Sequence, residues 1–106
     1  MEPAVETNTR LVVKVDQDLE DIAPGYLENR RKDVGLLSTA LEQNDFNTVK
    51  MIGHRMKGSG AGYGFDFISE TGSRIEQAAI ARNTPIIRDC MDQLTDYLDS
   101  IEVIYV

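Results

Sequence analysis

The sequence is poor in the residues that most often build sites. It has no tryptophan, one cysteine and one histidine among 106 residues. The lone Cys90 excludes an internal disulfide, suits a reducing compartment and reads as a small buried hydrophobe. One His and one Cys cannot assemble the usual soft-ligand metal site, which needs several such donors. Carboxylate cages for Mg2+ or Ca2+ remain conceivable, but no Asp-x-Asp-x-Asp-Gly loop is present, so no metal site is expected. No apolar run approaches the length of a bilayer span, and the opening MEPAVETNTR lacks the basic start and apolar stretch of a signal peptide. A cytoplasmic protein without a membrane role is the expectation. Positive charge is also scarce, 11 Lys and Arg against 18 Asp and Glu, for a net charge of −7. Such a surface repels nucleic acid and anionic lipid.

What is present makes one core. At 106 residues, 42% hydrophobic, the chain is long enough for one domain and too short for two. The reading divides it into a polar or extended N-terminal segment, 1–15, and a helical domain, 16–106. The first ten residues are polar and expected to fray. Leu11-Val12-Val13-Lys14-Val15 is β-branched enough for a strand, but nothing nearby offers it a partner. Asp16 or Asp18 can cap a short helix through Ile22. Beyond Ala23-Pro24, Leu27, Val34, Leu37 and Leu41, widened by Leu36 and Ala40, share one helical face as far as Glu42. Glu28, Arg31, Lys32 and Asp33 form its solvated side. Asp45 caps a helix that carries Phe46, Val49, Ile52 or Gly53, Met56, Gly60 and Tyr63 inward. The stretch Gly62–Asp66 ends that helix and caps the next, which shows Phe67, Ile68, Gly72, Ile75 and Ala79 and stops near Asn83. Thr84-Pro85 marks the last start, with Ile86, Ile87, Cys90, Leu94, Leu98, Ile101 and Val103 or Tyr105 inward. The fold class is therefore all-α, an antiparallel up-down-up-down four-helix bundle with a short N-terminal helix or extended segment.

The chemistry concentrates in Gly53–Gly64. Periodicity makes much of it helix, yet each interior helix glycine costs ~1 kcal/mol relative to alanine. Close approach of another backbone or of a partner would offset that cost. Asn47, Lys50, His54, Lys57 and Ala61 lie on one stripe, offset from the apolar face, so His54 should meet water. Between Thr48 and Gly64 the chain carries the bases Lys50, Arg55 and Lys57 and no acid, a local basic patch on an acidic protein. Neutral imidazole is nucleophilic near pH 7, Lys57 brings positive charge one turn on, and Gly58 leaves the ring's flank bare. A single helical His is ordinarily a plain surface residue; the neighbouring Lys57-Gly58-Ser59 and the bundle around it reverse that expectation. The glycines do not make a nucleotide loop. They alternate singly, with no Gly-Lys-Ser/Thr and no preceding strand.

His54-x-x-Lys57-Gly58-Ser59, followed by Tyr63-Gly64, resembles the signature of histidine-containing phosphotransfer (HPt) domains. Over roughly Asp18 to Ile104 the helix order is also similar, and Gly60, where the family more often has Ala or Ser, departs from it. The resemblance implies a four-helix bundle whose His54 is phosphorylated on Nε2, with Lys57 helping to hold the phosphoryl group and Gly58 giving access. It implies a Glu or Gln beside Nδ1, and Glu76 matches, with Gln77 as its neighbour if the register slips. Glu76 reads equally as an exposed carboxylate paired with Arg74 or Arg82. The implied partners are the receiver domain of a response regulator, a hybrid histidine kinase, or both, with Lys50, Arg55 and Ala61 in the docking surface. No cofactor is expected, any Mg2+ being supplied by the receiver, and the protein would be a monomeric carrier rather than an enzyme. Met1 and the lack of an obvious linker lean towards a stand-alone chain. Two rival readings stay open: a helical adaptor that binds a receiver or kinase without being phosphorylated, and a dimerisation module whose glycines serve helix packing between copies.

Overall fold

The computed structural model describes residues 11–106; residues 1–10, read above as frayed, lie outside the described residues. Four helices form the bundle: α1 (Ala23–Glu42), α2 (Phe46–Ser59), α3 (Asp66–Ile80) and α4 (Thr84–Ser100). Each begins or ends where local chemistry requires it. Pro24 sits in the first turn of α1, where its missing N–H is not needed. Asp45 caps α2, accepting from the Thr48 N–H at 3.1 Å and the Thr48 hydroxyl at 2.6 Å. These bonds hold the Asp45 carboxyl below its ordinary range. The cap of α4 is Asn83, whose Oδ1 accepts from Ile86 N–H at 3.2 Å. Thr84 is therefore the first helical residue, and α3 already ends at Ile80 because Arg82 turns left-handed, with φ of 52°.

The core is the inner stripe of each helix. Tyr26, Leu37, Val49, Ile52, Met56, Phe65, Ile68, Ile75, Ile87, Cys90 and Leu94 are buried together. Leu36 and Ile86, expected to face inward, are instead exposed. Asp33, assigned above to the solvated side, leans inward to pair with Arg30 Nε at 3.0 Å. A short 3-10 turn, Gln17–Leu19, capped by Asp16, replaces the expected helix through Ile22. Nor does α2 reach Tyr63. It stops at Ser59, and a second 3-10 turn spans Ala61–Tyr63. The break lies at Gly60, whose carbonyl accepts from Phe65 N–H at 2.8 Å, and the chain reverses through Gly64 at φ of 90°.

The largest departure is at the C-terminus. Ile101–Tyr105, expected to continue the last helix, is a strand, β2, paired in parallel with β1 (Leu11–Val15). Leu94, Leu98 and Ile101 keep helical spacing, which is why the pattern reads as helix. Ile-Glu-Val-Ile-Tyr also alternates with period two, and β1 decides between them. Leu11 pairs with Ile101 and Val15 with Tyr105. Beyond them Val106 N–H donates to Val15 C=O at 2.9 Å, and Gln17 N–H to Val106 C=O at 2.8 Å. The strand that had no partner nearby finds one at the far end of the chain.

Helices α2 and α3 pack most intimately. A Cβ on Gly72 would lie 2.5 Å from Lys57 N, and one on Gly53 would lie 2.7 Å from Glu76 N. At Gly60 it would lie 2.5 Å from Ser69 N. These obstacles are main chain, which cannot swing aside. Replacing Gly53 or Gly72 with alanine should therefore destabilise the fold by ~1–3 kcal/mol or more, despite alanine's better helix propensity. Urea unfolding of each variant measures this; unchanged midpoints would contradict the close approach.

Candidate functional site

His54 stands on the outer face of α2, its side chain 69% exposed. Lys50, Arg55, Lys57, Gly58 and Ala61 are also exposed, although Ala61 lies in the turn beyond the helix rather than on it. The close contact between α2 and α3 sets the rest. The Glu76 backbone lies against Gly53, so its carboxylate reaches the next residue along α2. Glu76 Oε2 is 2.9 Å from His54 Nδ1, and the Glu76 side chain is only 14% exposed. A carboxylate oxygen only accepts, so in the neutral ring the hydrogen is on Nδ1 and the lone pair on Nε2. Gln77 is exposed on the α3–α4 side. Arg74, one of the alternative partners considered for Glu76, turns to α4, donating to Gln93 Oε1 at 3.0 Å with Asp89 at 3.8 Å. Arg82 lies over the Phe46 ring.

Lys57 Nζ lies 3.5 Å from Glu76 Oε1, an electrostatic approach longer than an ordinary N–H···O bond, and that oxygen has no hydrogen-bond partner. Burial pushes the Glu76 carboxyl up, but the His54 hydrogen bond and the Lys57 charge outweigh it. The net effect holds Glu76 below its ordinary value. On the α1 side the balance reverses. Burial raises the Asp33 carboxyl despite the charges of Arg30 and Arg55.

Two serines position the helix of the site, Ser69, which the sequence did not single out, and Ser59 of the Lys57-Gly58-Ser59 motif. Ser69 Oγ on α3 donates to the Lys57 carbonyl at 2.6 Å, fastening the last turn of α2. Ser59, part of the quoted motif, lies 2.8 Å from the Tyr26 hydroxyl on α1, away from the imidazole's partners. Tyr26 stacks on Tyr63 with ring centroids 4.1 Å apart, and Arg30 lies 4.4 Å over its face. Ala23 and Tyr26 extend the three-four spacing of the α1 stripe, a signal in the sequence that was available for Tyr26. The Ser69 bond leaves no such trace.

With this geometry in place, the comparisons with known proteins decide the family. The Hpt domain model matches residues 15–103. The chain belongs to the Hpt domain family. Its members serve histidine phosphotransfer in two-component phosphorelays, where they meet receiver domains and kinases and carry phosphoryl groups rather than act as catalysts. Neither the curated proteins nor the solved structures compared with the chain include a match. Among the described residues, no helix is long and apolar enough to cross a membrane.

Gly58 of this Hpt domain differs from the packed glycines, because a Cβ there would meet nothing within 4 Å. Gly58→Ala should leave the fold intact or stabilise it by up to ~1 kcal/mol, as thermal or urea unfolding would show. A second expectation concerns pH. Since Glu76 is held below its ordinary value of 4.5, its pairing contributes stability above that pH. The contribution disappears as pH falls through the lowered value. The stability gap between wild type and Glu76→Gln should therefore close on acidification, and a gap that widens below pH 4.5 would contradict the pairing.

Proposed function

We propose that His54 Nε2 is the phosphoryl acceptor and donor of this Hpt domain, exchanging the group with receiver aspartates or a kinase. The observation that supports this best is the asymmetry of the pair: an exposed ring whose Nδ1 is engaged by a largely buried carboxylate. In this reading Glu76 fixes the tautomer and leaves the Nε2 lone pair for in-line attack on phosphorus. Lys57, one turn on, neutralises phosphoryl oxygens as they arrive, and Gly58 lets the donor's backbone come close. The one carboxylate at His54 is engaged by the ring and faced by Lys57. That does not fit a resident Mg2+, so any Mg2+ is assigned to the partner receiver.

The docking surface proposed for the partner surrounds the ring. Lys50, Arg55 and Ala61 contribute charge and a low profile, and exposed Leu36 on α1 and Met51 on α2 supply apolar area. Leu36 and Arg55 border a groove between α1 and α2 that also includes Ala40, Thr48 and Ile52. The basic members would steer an acidic partner and set its orientation. A cytoplasmic location and a monomeric state belong to the same reading. Gly53, Gly60 and Gly72 serve contacts within the chain, so these three supply no motive for the dimerisation alternative.

Incubation with a phosphorylated receiver or hybrid kinase tests the proposal. Wild type should gain an acid-labile label and His54→Gln none; a label that persists in the variant refutes it. Lys57→Ala should retain the label but exchange it roughly 10–100-fold more slowly, less than the loss of a donor in an enclosed site because Lys57 is half exposed. Receiver binding by His54→Gln without any labelling of wild type would favour the adaptor.

A further inference from the structure

Lysine carries its charge on a flexible four-carbon stem, and the Lys57 side chain is half exposed. Where its ammonium lies depends on how firmly the main chain beneath it is held. α2 ends close by. Its closing main-chain bond runs from Gly60 N–H to Met56 C=O at 2.9 Å. The Lys57 carbonyl is next in line and falls among those that a helix end leaves unpaired. Ser69 on α3 supplies the missing donor, its Oγ reaching that carbonyl at 2.6 Å. The Lys57 nitrogen is confined as well, because it lies against Gly72. Lys57 is thus pinned to α3 at both ends of its main chain.

A serine inside a helix has an alternative, returning its hydroxyl to the carbonyl four residues earlier, here that of Phe65. Alanine would also be the better helix former at this position. Ser69 instead reaches across to α2, and Gly60 makes the distance short, since a Cβ there would lie 2.5 Å from Ser69 N. Ser59, two residues beyond Lys57, lies 2.8 Å from the Tyr26 hydroxyl on α1. Gly58 therefore stands between a residue held by α3 and one held by α1, although a side chain of its own would meet nothing.

Resting on the carrier reading above, we infer that Ser69 is a positioning residue for phosphoryl transfer, fixing the Lys57 main chain so that its ammonium stays beside the ring. The Ser69 hydroxyl bonds the Lys57 carbonyl and no atom of the imidazole, so its effect passes through Lys57. The other contact of that side chain, Nζ to Glu76 Oε1 at 3.5 Å, is too long to fix it alone. Because the Ser69 bond lies at the surface, water can take its place and the helix end survives without it. The turn that carries Lys57 then gains freedom, and the ammonium spends less time where phosphoryl oxygens arrive. That loss falls on the rate within the docked complex and not on docking itself.

Wild type, Ser69→Ala, Lys57→Ala and the double variant are each mixed with one phosphorylated receiver at rising concentrations, and label uptake is followed. Ser69→Ala should lower the rate at saturating receiver by about 3–10-fold, while the half-saturating concentration moves by less than about twofold. On the Lys57→Ala background the same substitution should change the rate by less than about twofold, because residues that act as one unit do not add. Urea unfolding should show all four proteins folded. Equal slowing on both backgrounds, a shift confined to the half-saturating concentration, or a rate like that of wild type would overturn the positioning role and leave His54 as the carrier. So would a Ser69→Ala chain that does not fold, since Ser69 would then serve stability. Wild type that takes up no label would overturn the carrier reading, and the positioning role with it.

Discussion

The site depends on two helix backbones meeting where side chains would keep them apart. Gly53 on α2 and Gly72 on α3 face main-chain atoms at distances no Cβ could tolerate, and Gly60 does the same at the end of α2. Ordinary helix pairs keep their axes 8–10 Å apart because side chains fill the space between. Removing those side chains brings Glu76 against Gly53 and hence within reach of His54. The short reach of a glutamate then suffices to touch a ring that itself points to water. Glycines between Gly53 and Gly64 thus fall into two kinds, those the fold requires and those, Gly58 and Gly62, where a Cβ would meet nothing.

The same contact divides the electrostatics of the molecule. An acidic chain of net charge −7 leaves one stretch of α2 free of acids, and the carboxylate that does approach it comes from another helix. Glu76 meets a hydrogen-bond donor and a cation, so its negative charge is favoured despite burial. Asp33, equally screened from water and paired with Arg30, is pushed the other way because burial outweighs its partners there. Two carboxylates of similar exposure, one on α1 and one on α3, are thus shifted in opposite directions.

Much of the architecture was legible from spacing and caps. Leu37, Leu41, Val49, Met56, Ile68, Ile75, Cys90 and Leu94 lie inside as their periodicity requires, and Asp45 caps α2. The exposure of His54 followed from its offset from the apolar face, and Glu76 was indicated through resemblance, with Arg74 and Arg82 as competing partners. What the sequence did not reveal depends on distant pairing. The strand Ile101–Tyr105 satisfies helical and extended patterns alike, and only β1, at the other end of the chain, selects one. Gly60 looks like one more small helical residue until Ser69 and Phe65 are seen to occupy its empty side. Leu36 and Ile86 carry the right spacing but sit at the margin of their stripes, where a small rotation of the helix exposes them.

The parallel pairing of β1 and β2 has a mechanical consequence. Leu11 stands beside Ile101 at one end of the ribbon, while Val106 leaves at the opposite end, past Val15. Tension applied between Leu11 and Val106 would slide the strands along each other, so every bond of the ladder would bear load together instead of parting one by one. The bundle is thereby latched against a pull on its tails.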